Sequence, residues 1–78
     1  MKIIIYSAPT CPYSKMAKDF FIRNNMPFKE VDVTKNEKYA REVLEIAGQN
    51  TVPVIKIENQ IIIDFDEEKI IKILGLDR

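Results

Sequence analysis

Residues 6–17 read YSAPTCPYSKMA. Ahead of them stands the apolar run Ile3-Ile4-Ile5, and behind them Met16, Ala17, Phe20 and Phe21 recur at helical spacing. The stretch is therefore a junction between a strand, Lys2 to Ser7, and a helix. Pro9 and Thr10 break the strand. Pro12 suits the first helical position, where its missing N–H leaves no bond unmade. The helix is expected to run to about Arg23, with Asn24-Asn25 and Pro27 ending it. Cys11, the one cysteine in 78 residues, falls at the helix start. Ser14 stands three positions on, where a second cysteine would complete a Cys-x-x-Cys redox pair.

Outward from this junction the chain alternates element types. Phe28 to Val33 has a two-residue period and reads as a second strand. Thr34 with Glu37 has the capping-box spacing. The helix that follows carries Tyr39, Ala40, Val43, Leu44 and Ala47 on one stripe and stops at Gly48. VIKIE, residues 54–58, is a third strand, and Ile61 to Ile63 a fourth. The short turn Glu58-Asn59-Gln60 makes these two a hairpin. Asp66, Glu67 and Glu68 place negative charge at the start of a last helix, whose stripe is Ile70, Ile71, Ile73 and Leu74, ending at Gly75. The order β-α-β-α-β-β-α is an α/β arrangement with one mixed four-stranded sheet and three helices. A helix between successive strands favours parallel pairing in the first half, and the tight turn antiparallel pairing in the second.

Seventy-eight residues, 46% of them hydrophobic, make one small domain spanning 1–78. Twelve basic residues balance twelve acidic ones without a basic block, which argues against a nucleic-acid partner. No run is long enough for a membrane span or a signal-peptide core. One cysteine without an export signal fits the reducing cytoplasm. The absence of histidine removes Cys–His catalysis and histidine-containing zinc sites. Two glycines, Gly48 and Gly75, do not make a phosphate-binding loop.

Two readings of Cys11 are open from the residues alone. A lone cysteine is often buried and inert. Its position favours the other reading. Unpaired N–H groups and the positive end of the helix dipole stabilise an anion at a helix N-terminus. Ser14 lies one turn on, able to offer its hydroxyl or its N–H, and Lys15 adds nearby positive charge. The carboxyl end of a strand is also where α/β sheets bind ligands. A depressed thiol pKa is the expectation.

CPYS at a strand-to-helix junction, Thr51-Val52-Pro53 before the third strand, and the order of elements resemble the glutaredoxins, within the thioredoxin fold. The resemblance covers about Ile3 to Leu74. It implies that Cys11 is the redox nucleophile, beside Pro12, and that Pro53 is cis and faces it. It implies that the backbone of Val52, next to Thr51, hydrogen-bonds the cysteinyl part of glutathione as an added strand would. Tyr13 would border the same groove, though an exposed helix tyrosine is an equal reading. Asp66 or Glu67 would meet the amino group of glutathione, though helix capping is an equal reading. Glutathione is then the cosubstrate and no metal is expected. The chain is expected to be a monomer acting on glutathionylated proteins or small disulfides.

Departures from the family pattern bear on binding. A glycine pair after the fourth strand is replaced by Ile63 and Asp64. Basic residues before the cysteine and before Thr51 are replaced by Ala8 and Asn50. Both losses weaken the grip on glutathione's carboxylates, unless Lys15 or Lys38 compensates. Ser14 is a poor nucleophile toward sulfur, so monothiol exchange is the expected mechanism. Two rivals keep the family and change the task. One is a [2Fe–2S] carrier bridging two subunits with glutathione, against which Pro12 and Tyr13 crowd the loop. The other is a redoxin reduced by thioredoxin reductase, against which the missing second thiol counts.

Overall fold

The computed structural model describes residues 1–76; the last two residues of the expected domain, 77 and 78, lie outside the described residues. Strand β1 is Ile3–Ser7, helix α1 Pro12–Arg23, strand β2 Lys29–Asp32, helix α2 Glu37–Ala47, strand β3 Val54–Ile57, strand β4 Gln60–Ile63 and helix α3 Glu67–Leu74. The sheet order is β2-β1-β3-β4. β1 pairs β2 in parallel, as a helical crossover requires. β1 with β3, and β3 with β4, are antiparallel. This is the thioredoxin-fold architecture that the resemblance implies.

Strand alternation assigns the two faces. Ile3 and Ile5 of β1, Ile55 and Ile57 of β3 and Ile62 of β4 point to one side, where they meet Ala17, Phe20 and Phe21 of α1 and Ile70 of α3. Tyr6 and Val54 point to the other side and meet Val43 of α2, with Ile4, Val31 and Ile61 partly buried around them. Three aromatic contacts tighten the first layer. Phe20 and Phe21 are edge-on at 5.5 Å, Phe21 lies 6.0 Å from Phe28, and Phe20 lies 5.8 Å from Phe65.

The start of α2 corrects the expected capping box. Asn36, not Thr34, is the N-cap, and its side chain accepts the Lys38 N–H at 2.9 Å. Thr34 instead gives both its N–H, at 2.9 Å, and its hydroxyl, at 2.6 Å, to Asp32 Oδ1. Asp32 closes a side-chain turn at the end of β2, and this local bond outcompetes the box. β2 is accordingly shorter than the alternation of Phe28–Val33, and β4 begins one residue early, at Gln60. Gly48 closes α2 at φ 74°, a left-handed position where glycine carries no side-chain penalty.

Candidate active site

Cys11 is the N-cap of α1, in extended backbone with φ −92° and ψ 112°. Its N–H donates to the Ala8 carbonyl at 3.1 Å, which folds the loop back on the end of β1. Its carbonyl accepts the first helical bond, from the Lys15 N–H at 3.3 Å. Pro12 at the first helical position has no N–H to offer. The next two N–H groups, of Tyr13 and Ser14, both act on the sulfur. The first turn of α1 carries no acidic residue to oppose an anion there.

Cys11 is half-buried, and its sulfur faces the loop before β3. In the thiol form Cys11 Sγ donates to the Val52 carbonyl at 3.7 Å. The Val52–Pro53 peptide bond is cis, as the resemblance implies, and Pro53 is buried. The Ser14 side chain is buried at 1% exposure, and its Oγ has no hydrogen-bond partner among the described residues. A buried hydroxyl without a partner is costly. Loss of the Cys11 proton converts the sulfur into the acceptor that this hydroxyl lacks. The Ser14 hydroxyl is the foremost group holding the Cys11 thiol below its ordinary value. Burial pushes the thiol up, the N–H groups of Ser14 and Tyr13 lower it further, and the Asp64 carboxylate raises it.

Of the other expected site residues, Tyr13 is exposed at 57% on the first turn of α1, beside Cys11 in sequence. Lys15 is exposed and is not among the leading groups acting on the sulfur. Thr51 and Val52 are half-buried. Asp66 caps α3, its Oδ1 accepting the Lys69 N–H at 3.3 Å, and Glu67 is the exposed first residue of that helix. Lys38 lines a groove of about 530 Å³ between β2 and α2, whose lining also includes Lys29, Lys35 and Tyr39 but not Cys11. Asp64 is a residue whose role the sequence leaves unread. Its N–H bonds the Pro53 carbonyl at 2.9 Å, which joins it to the cis loop that touches the sulfur. A separate recess of about 230 Å³ is lined by Arg41 and by Asn50, immediately before Thr51, but not by Cys11.

No helix among the described residues is long and apolar enough to cross a membrane. The family model described as Glutaredoxin matches residues 3–62. A glutaredoxin-like 8.6 kDa protein of the rubredoxin operon of Clostridium pasteurianum is 38% identical over 72 residues, 92% of this chain and 96% of that protein. Glutaredoxin 3 of Escherichia coli K12 is 34% identical over 56 residues, 72% of this chain and 68% of its own. Among solved structures, the Archaeoglobus fulgidus glutaredoxin superposes with a TM-score of 0.87 at 24% identity, over 94% of this chain and 85% of that one. The family model covers more than half of the chain and the Clostridium relative nearly all of it, on this sheet order: the chain belongs to the glutaredoxin family of thiol–disulfide oxidoreductases.

Proposed function

We propose that residues 1–78 act as one glutaredoxin-like domain, a monomeric cytoplasmic enzyme that exchanges glutathione on and off disulfides through Cys11 alone. The observation that carries the reading is the sulfur's surroundings. It donates to the Val52 carbonyl, 3.7 Å away, and the Ser14 hydroxyl, one helical turn on, is buried with no hydrogen-bond partner among the described residues. Cys11 thiolate attacks the glutathione sulfur of a mixed disulfide R–S–S–G. The Cys11–S–S–G bond forms, the S–S bond between R–S and S–G breaks, and R–S⁻ departs and takes a proton from solvent. A second glutathione thiolate then attacks the glutathione sulfur held on Cys11. Oxidised glutathione leaves and the Cys11 thiolate returns, again paired with the Ser14 hydroxyl. Pro12 keeps the helix start stiff and free of a competing donor. The backbone of Thr51 and Val52 runs beside the cysteinyl part of glutathione, Tyr13 covers its flank, and Asp66 or Glu67 takes its amino group. Lys15 faces its carboxylates. The mechanism requires no metal.

The test is glutathione-coupled reduction of a small disulfide by the wild-type chain, Cys11→Ser and Ser14→Cys. Turnover by the wild type and none by Cys11→Ser is the expected result. Turnover that survives in Cys11→Ser, or that appears only in Ser14→Cys, overturns the single-thiol reading.

A further inference from the structure

We propose that Asp64 makes the Cys11 site select disulfides by charge, so that it favours sulfurs flanked by cationic groups, such as a modified cysteine among lysines and arginines, over sulfurs flanked by carboxylates. The inference rests on the reading of Cys11 as the nucleophile. Its geometry is a short chain of contacts. Cys11 Sγ meets the Val52 carbonyl at 3.7 Å, Val52 is joined to Pro53 by the cis bond, and the Pro53 carbonyl accepts the Asp64 N–H at 2.9 Å. Ile63 pairs with Val54 on one side of Asp64, and Phe65 packs on Phe20 of α1 at 5.8 Å on the other. Asp64 is thus fixed from both sides, with its side chain exposed.

Its backbone has φ 65°, a left-handed conformation that aspartate and asparagine tolerate better than most side chains. Asp66, Glu67 and Glu68 follow it, all exposed, so the segment that begins with Asp64 is anionic. Only Lys15, within the first turn of α1, supplies a cation next to Cys11 in the chain. The Asp64 carboxylate also pushes the Cys11 thiol upward, so its field reaches the sulfur. A like charge on an incoming disulfide meets the same field, and an unlike charge is drawn by it.

The experiment follows single-turnover formation of the Cys11 mixed disulfide by intact mass. Cystamine, with two ammonium groups, is compared with dithiodipropionate, with two carboxylates. In each case Cys11–S⁻ bonds one sulfur of the reagent, its S–S bond breaks, and the other half leaves as thiolate. The rate ratio, cystamine over dithiodipropionate, is the readout, because any change in thiolate fraction affects both rates alike and cancels. Asp64→Asn keeps the left-handed backbone and removes the charge. It is expected to lower the ratio about two- to fivefold, the range that exposed charge pairs sustain. Glu45→Gln, the same loss of charge on the exposed face of α2, is expected to leave the ratio where it was. At about 1 M salt, where the Debye length is about 3 Å, wild type and Asp64→Asn are expected to converge. An unchanged ratio in Asp64→Asn, or an equal fall in Glu45→Gln, overturns the proposal while leaving Cys11 as the nucleophile. Absence of any adduct with either reagent overturns the nucleophile reading and the proposal with it.

Discussion

Ser14→Ala isolates the group on which the thiolate most depends. The Ser14 hydroxyl is buried at 1% exposure, so water does not replace it when it is removed. A hydrogen bond to a charged group contributes about 1.5–3 kcal/mol. The Cys11 thiol is therefore expected to rise toward its ordinary value in Ser14→Ala, with the backbone N–H groups of Tyr13 and of position 14 still in place. Cys11 is the only cysteine, so thiolate absorbance against pH, with Cys11→Ser as the baseline for tyrosine, reports it alone. The same bond links stability to pH. The folded thiol lies below the unfolded one, so its contribution is complete above the unfolded value of about 8.5 and is lost as pH falls through the folded value. At low pH Ser14→Ala is expected to match or exceed the wild type in stability, because it deletes an unpartnered buried hydroxyl. Above the unfolded value it is expected to be the less stable of the two. An unmoved titration midpoint, or a stability difference that ignores pH, refutes the assignment of Ser14 as the thiolate's main donor.

Three further outcomes test the frame that holds the site. Tyr6→Phe removes the bond from the Tyr6 hydroxyl to Glu42 at 2.7 Å and is expected to lose about 1 kcal/mol in urea unfolding at neutral pH. Burial and Glu42 push Tyr6 up to about 12 from 10.0, so the contribution is complete below 10.0 and fades as pH rises through about 12. Glu30→Ala strips the acceptor from the buried Ser7 hydroxyl and from Lys18, both at 2.8 Å; with the Lys18 pair partly screened by solvent, a loss of about 1–2 kcal/mol is expected by the same measurement. Asn36→Ala is expected to lose about 1 kcal/mol through the cap of α2.

Much of the fold is legible because the hydrophobic pattern repeats at the period of each element. Ile3 and Ile5 against Ile4 and Tyr6 assign two faces to β1, and Phe20, Phe21 and Ala17 mark the buried side of α1. The cysteine's place at a helix start is legible from Pro12 alone. What escapes the sequence is decided by competition between local bonds and by contacts between distant segments. Asn36 and Thr34 are both competent caps, and Asp32 settles the matter by binding Thr34 from the end of β2. Asp64 lies 53 positions after Cys11 in the sequence and reaches its surroundings only through the β3–β4 pairing and the Pro53 carbonyl. Lys15 is close to Cys11 in the chain, yet its side chain stands in solvent and the donors on the sulfur come from Ser14 and Tyr13.

Exchange through a single thiol requires that one sulfur accept glutathione and hand it on without a second thiol in the chain. Incubating the reduced protein with oxidised glutathione, and then with reduced glutathione, tests it by intact mass. One glutathionyl group added at Cys11 and then fully discharged is the expected result. No adduct, or an adduct that reduced glutathione leaves in place, contradicts exchange through Cys11 alone.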